Sequence, residues 1–231
     1  MFAVGFCLSP QIKLMRSLIL QHDGASPLQI LCLGAHSDDI EIGCGGTILR
    51  LAEQYPNCVF HWVVFNAVGP RSAEARRGAE LFAGKNVIQG SLFKTFQDGF
   101  MPFVGGEVKA VFEDLKQSVA PDLIFTHNRR DAHQDHRLLA ELTWNTFRDH
   151  FILEYEVPKY DGDLGQPSVF VPLEDKVCQQ KVRYIMDAFQ SQHSKRWFQE
   201  TTFLSLMRLR GMECNAPSGY AEAFHCRKLV L

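Results

Sequence analysis

The segment Ala35-His36-Ser37-Asp38-Asp39 places a histidine three residues before a carboxylate, with a second carboxylate between them. On a tight strand-to-helix connection, that spacing lets His36 and Asp39 turn toward one point. A metal such as zinc accepts an imidazole nitrogen and a carboxylate oxygen together, and a catalytic site takes three protein ligands and leaves a position for water. The third ligand has to come from elsewhere, and the stretch Thr126 to His136 offers His127, His133 and His136. Asp38 points differently from Asp39 and can accept a proton from water. A metal brings the pKa of its water to about 7, so a carboxylate base suffices near neutral pH. Taken singly, Asp38 or Asp39 reads equally well as the N-cap of a following helix. Gly43, Gly45 and Gly46 lack the G-x-G-x-x-G order of a phosphate loop. They read as positions where the backbone passes close to the site.

Both clusters need strands to carry them. Leu28 to Gly34 is a short apolar run that reads as a buried strand, and a helix follows over Gly43 to Gln54. Cys58 to Asn66 is a second strand by its valines and aromatics, and Ser72 to Ala83 is a helix. Asn86 to Gln89 reads as a short strand, and the apolar stripe over Glu107 to Val119 as a helix that Pro121 stops. Asp122 to Thr126 is another buried strand, extended by a helix over 136–149 and a strand over Phe151 to Glu156. Residues 158–168 form a loop by their proline, glycine and aspartate content, a candidate lid. Helices follow over Glu174 to Phe189 and near 194–209. Alternation of this kind predicts an α/β fold: one domain with a Rossmann-like, mostly parallel sheet and helices on both faces. Ligands of such sheets sit beyond the carboxyl ends of the strands, where both polar clusters fall.

The totals exclude several classes. A chain of 231 residues suits one sizeable domain, here 1–231 with residues 1–26 as an N-terminal extension. The formal net charge of −2 offers no basic field for nucleic acid. Lys13 and Arg16 interrupt the apolar clusters of Met1 to Leu20, and no small-residue cleavage site follows. No apolar stretch is long enough to span a bilayer, so the expectation is a soluble, cytoplasmic protein. The seven cysteines are scattered without a C-x-x-C, which fits reduced thiols better than disulfides or a thiolate metal site.

AHSDDIEIGCGG resembles the AHPDDEEIGCGG signature of the PIG-L / LmbE-like deacetylases, and DAHQDHR resembles that family's D-x-H-P-D-H motif. Weaker matches follow in family order: Arg71 and Glu74 to its R-x-x-E helix start, Asp98-Gly99 to its D-G turn, and Tyr220 to Phe224 to its closing A-E-A-F. The resemblance implies removal of an acetyl group from an N-acetylated amino sugar or glycoconjugate, with Zn2+ as cofactor and Fe2+ or another divalent metal as the alternative. It implies that His36, Asp39 and His136 bind the metal and that Asp38 is the general base. His133 would stabilise the oxyanion or serve as the acid toward the leaving amine. Asp131 and Asp135 would orient the histidines. Arg71 and Asp98 would hold sugar hydroxyls or else form a surface ion pair or a turn, and Glu222 would support the site or cap a turn. Phe100 and Trp197 are candidates to stack on a sugar ring, with simple core packing as the alternative. Family members often form trimers or hexamers, so a homo-oligomer is implied.

Ser37 stands where the family usually has proline, which loosens the backbone around His36 and Asp38. Ile40 stands where an acid is common, and Gln134 replaces the proline of H-P-D-H. Rival readings are an amidase on another sugar- or thiol-conjugate, a non-catalytic sugar-binding member of the fold, and a nucleotide-binding Rossmann protein. An iron(II) oxygenase shares the two-histidine, one-carboxylate triad, but needs no Asp38–His133 acid–base pair.

Overall fold

The computed structural model describes Gly24, residues 26–84 and residues 91–230. The expected strand over 86–89 and nearly all of the N-terminal extension lie outside these residues. Among the described residues, no helix is long and apolar enough to cross a membrane.

Strand β1 (Gln29–His36) is buried along almost its whole length. Its side chains alternate between two cores: Ile30 and Cys32 enter one, and Leu31, Leu33 and Ala35 the other. A strand buried on both faces needs partners on both sides and helices above and below. Parallel partners are β2 (Val59–Asn66) and β4 (Leu123–His127). β3 (Leu92–Phe93) pairs with β2, and β5 (Phe151–Tyr155) with β4, again in parallel. Two further strands, β6 (Val169–Pro172) and β7 (Ala221–Cys226), close the other edge in antiparallel fashion. The order of the seven strands is β3-β2-β1-β4-β5-β7-β6.

Helices α3 (Gly105–Ser118) and α4 (Gln134–Thr146) cover one face. Helices α1 (Asp39–Gln54), α2 (Pro70–Ala83), α5 (Asp175–Ala188) and α6 (Glu200–Glu213) cover the other. The α/β class and mostly parallel sheet match the sequence expectation. Three details differ. Helix α1 begins at Asp39 rather than Gly43, so its glycines lie inside a helix. There they admit packing side chains: a Cβ on Gly43 would sit 2.2 Å from Tyr155 Cδ2, and one on Gly45 2.4 Å from Phe82 Cε1. Helix α6 starts at Glu200 because residues 194–199 form turns. β6 and β7 were not expected as strands at all.

The chain leaves β1 toward β2 on one side and returns through β4 on the other. A crevice therefore opens between the carboxyl ends of β1 and β4. His36 ends β1 and His127 ends β4.

Candidate metal centre

Three donor atoms converge at this crevice. His36 Nδ1 lies 3.1 Å from His136 Nε2 and 3.3 Å from Asp39 Oδ2. The third side, His136 Nε2 to Asp39 Oδ2, is 3.5 Å. Ligand bonds of about 2.0–2.1 Å in a tetrahedral zinc site set donors roughly 3.3 Å apart, so the triangle has the size of three corners of such a site.

Proton positions, assigned from the neighbours, sharpen this. The other nitrogen of His136, Nδ1, is 2.9 Å from Asp131 Oδ2, so Nδ1 carries the proton and Nε2 a lone pair. The other nitrogen of His36, Nε2, faces carboxylates, Asp98 Oδ1 at 3.0 Å and Asp135 Oδ2 at 3.4 Å. These are ion-pair distances rather than well-aligned hydrogen bonds, but both place the proton on Nε2. With His36 neutral, two imidazole lone pairs and a carboxylate oxygen face one another, and either a proton on His36 or a bound cation reconciles them. Burial raises the pKa of Asp39, but His136, His127 and His36 outweigh it and hold the carboxyl well below its usual range. Burial, with His127 beside it, lowers the pKa of His136 and keeps it neutral. Ionised carboxylate and neutral imidazole are the states a metal requires. For His36, burial acts downward, but Asp39, Asp135 and Asp98 pull a proton onto the ring and raise its pKa.

The strand-to-helix turn explains the division of labour between the aspartates. Asp38 occupies the N-cap position of α1, but its side chain makes no capping bond. Asp39 turns back and accepts the His36 backbone N–H at 2.6 Å. The capping explanation therefore fails for both. The Asp38 carboxylate instead receives Arg71 Nη2 at 2.5 Å. Arg71 was expected at sugar hydroxyls; here it sits on Asp38, brought there by the first turn of α2. Glu74, its partner in the motif, is not at the site: it accepts from the backbone and hydroxyl of Ser191, both at 2.7 Å.

His127 is the residue that sequence reasoning left undecided. It is fully buried and stacked on His136, ring centroids 3.8 Å apart. Its Nε2 lies 3.2 Å from Asp39 Oδ2, but the Ala35 backbone N–H already donates to that nitrogen at 2.9 Å. With its lone pair engaged in that bond, His127 forms the floor beneath Asp39 and His136, with which it makes a second group of donors of a size to hold a metal.

His133 precedes α4 and caps it, Nδ1 accepting from the Asp135 backbone N–H at 3.3 Å. Its Nε2–H is left as the donor, half-buried and 3.9 Å from Asp98 Oδ1. Burial and the neighbouring imidazoles lower the pKa of His133.

Asp131 reaches His136 and also accepts Lys159 Nζ at 2.9 Å and the His133 backbone N–H at 2.8 Å. Burial pushes its carboxyl up, but His136, His127 and Lys159 together outweigh it and hold the carboxyl far below the usual range. Lys159 also pairs with Asp163 at 2.6 Å, and Asp163 accepts the Ala132 N–H at 2.6 Å. The 158–168 loop is thus pinned to the site rather than hanging over it as a free lid. Lys159 carried no sequence signal beyond lying in that loop.

Asp135 grips the Asp98 turn: its carboxylate accepts from Gly99 N at 2.7 Å and Met101 N at 3.2 Å. Gln134, the departure from proline, donates to Gly99 O at 2.6 Å. Gly99 has φ +75°, a conformation that side chains disfavour. Asp98 is thereby presented to His36, whose imidazole holds its carboxyl at about 2. Phe100 follows at the rim, half exposed, whereas Trp197 packs on Phe198 and is not brought to the site. Ser37 is not loose either: its hydroxyl donates to Asn66 O at 3.1 Å, replacing the constraint of proline by a bond to the end of β2. Glu41 is fully buried against Gly78 with neither oxygen partnered among the described residues, and burial raises its pKa well above the usual range.

The sequence pattern of the PIG-L family, GlcNAc-PI de-N-acetylase, matches residues 31–147, just over half of the chain. The chain belongs to the PIG-L deacetylase family. The match spans His36, Asp38, Asp39, Asp131, His133 and His136, so family and geometry meet on the same residues. A curated relative, the uncharacterized deacetylase YaiS of Escherichia coli (strain K12), is 27% identical over 143 residues, covering 56% of this chain and 74% of YaiS. Among solved structures, N,N'-diacetylchitobiose deacetylase from Pyrococcus horikoshii superposes with a TM-score of 0.66 at 18% identity, covering 86% of this chain and 83% of that one. GalB, the 4-carboxy-2-hydroxymuconate hydratase from Pseudomonas putida KT2440, does so with a TM-score of 0.63 at 17% identity, covering 88% and 98%. At these identities the likeness is one of fold, and the fold carries more than one reaction.

Proposed function

We propose that this PIG-L family member is a zinc-dependent N-deacetylase acting on an N-acetylated amino sugar or a glycoconjugate that bears one. The observation that carries the reading is the convergence of His36 Nδ1, Asp39 Oδ2 and His136 Nε2 within 3.1–3.5 Å of one another, with the Asp38 carboxylate beside them. When bound there, zinc polarises a carbonyl and lowers the pKa of water to about 7.

The remaining work falls to the chain. Asp38 takes the proton of the attacking water, its carboxylate held in place by Arg71 at 2.5 Å. His133 donates Nε2–H to the acetyl oxygen as negative charge builds on it; one such donor is typically worth about 3–4 kcal/mol. The departing nitrogen takes up the proton that Asp38 acquired, leaving acetate and a free amine. Asp131 and Lys159 keep His136 in the tautomer that presents Nε2, and Asp98 with Asp135 does the same for His36. Phe100 at the rim offers an apolar face to a sugar ring.

The test is acetate release from a panel of N-acetylated amino sugars, with and without a chelator, alongside metal analysis of the purified protein. Chelator-sensitive acetate release with bound zinc is expected. No acetate from any member of the panel would remove the reaction, and iron in place of zinc would overturn the choice of metal.

A further inference from the structure

A second polar site lies away from the metal. One face of α4, formed by Glu141, Trp144 and Asn145, meets Arg148 just beyond the helix end, Arg129 from the loop after β4, and Arg227 and Lys228 from the segment after β7. Together they line an open groove of about 420 Å³. Trp144 lies eight residues beyond His136 and Arg148 twelve. At 1.5 Å per helical residue Trp144 lies roughly 12 Å along the helix from His136, and Arg148 lies past the helix end, so the groove is not part of the metal centre.

The groove is positively charged on a chain whose net charge is −2. Arg129, Arg148, Arg227 and Lys228 are all exposed, and none forms an ion pair among the described residues. Two of these cations are already positioned. The Arg227 guanidinium lies over the Trp144 ring at 4.6 Å, and Lys228 Nζ at 5.6 Å while donating to Arg148 O at 2.7 Å. Such a stacked guanidinium keeps its N–H edge for another acceptor.

Two carboxylates oppose the four cations. Glu141 lines the groove, and Glu154 lies buried beneath it. Glu154 is already engaged: Oε1 accepts Trp144 Nε1 at 2.5 Å, and Oε2 accepts the Arg129 backbone N–H at 3.2 Å. An excess of two positive charges remains. A phosphate monoester carries about −1.5 to −2 at pH 7 and offers three acceptor oxygens, matching both the charge and the unused donors. The volume leaves room for an organic group beside the phosphoryl group.

We propose that this groove binds a phosphate monoester, either free in solution or as a lipid headgroup. The test uses the metal-loaded protein with two probes: inorganic phosphate followed by titration calorimetry, and vesicles of phosphatidylcholine containing roughly one-fifth phosphatidic acid followed by co-sedimentation. Saturable binding of about one phosphate per chain is expected, weakened about ten-fold or more in Arg148→Glu and Arg227→Glu, and falling with added salt. Vesicle capture that the same variants abolish places the monoester on a lipid, and phosphate binding without capture places it on a free ligand. Metal content and acetate release should match wild type in both variants, which separates this site from the deacetylase reading. Arg148 is exposed, so Arg148→Glu remains a valid variant if Arg227→Glu disturbs the packing over Trp144. Absence of saturable binding to either probe, or binding that survives Arg148→Glu, would overturn the proposal.

Discussion

Two buried polar clusters lie on α1, one at its first residue and one further along, and they are built in opposite ways. Further along, Glu222 accepts from Gly46 N at 2.7 Å and from Thr47 N, Thr47 Oγ1 and Lys181 Nζ, each at 2.6 Å. Lys181 spends another proton on Ile42 O at 2.6 Å. Donors meet acceptors, and the cluster ties α1 to α5 and β7. At Asp39 the reverse holds: His36 Nδ1, His136 Nε2 and Asp39 Oδ2, each able to offer a lone pair, crowd within 3.1–3.5 Å of one another. Both clusters fall within matches to family motifs, and both are equally buried. The balance of donors and acceptors separates the strut from the site.

Breaking each cluster in turn tests that contrast. His136→Ala should abolish acetate release and bound metal together, read by elemental analysis and an acetate assay. Its unfolding midpoint should no longer rise on adding zinc, as that of the wild type does. Asp38→Asn should keep the metal and the fold but slow turnover about 10²–10⁴-fold, the usual worth of a general base. Normal turnover with metal bound would remove Asp38 from the mechanism.

Glu222→Ala should do the opposite. Stranding the Lys181 ammonium in the interior costs about 3–5 kcal/mol, visible in denaturant unfolding. The zinc-dependent rise in midpoint should persist in the fraction that folds. If metal binding were lost as well, the two clusters would be one unit. Asp131→Asn should weaken metal affinity about 10–100-fold by releasing the His136 ring, measured by competition with a chromogenic chelator. The smallest effect is expected of Ser37→Ala, which removes one hydrogen bond to Asn66 O and should cost about 1 kcal/mol with metal content unchanged.

The parallel half of the sheet was legible because its strands are apolar on both faces and alternate with helices: β1, β2, β4 and β5 fall within a residue or two of their expected bounds. The antiparallel edge was not. β6 follows a loop rich in proline and glycine, and β7 is a short run whose Glu222 breaks the apolar pattern because it faces Lys181. Its strand character comes from pairing with β5 and β6, which no local pattern reports. The α1 start was placed late, at Gly43, because the polar residues before it read as the strand-to-helix connection; inside the helix the glycines make room for neighbouring side chains.

For the site, the sequence by itself determined the candidate donors: a histidine and two aspartates after one strand, and histidines with Asp131 and Asp135 after another. Residue type and spacing suffice for that, because a strand-to-helix turn presents its side chains locally. Only the tertiary structure decided among them. The Nε2 of His127 is taken up by the N–H of Ala35, ninety-two residues away in sequence. Arg71 is assigned to Asp38, and Gln134 to the Asp98 turn, by contacts between separate elements. Lone pairs and protons are allotted by whichever groups the fold brings together, and the sequence lists those groups without saying which of them meet.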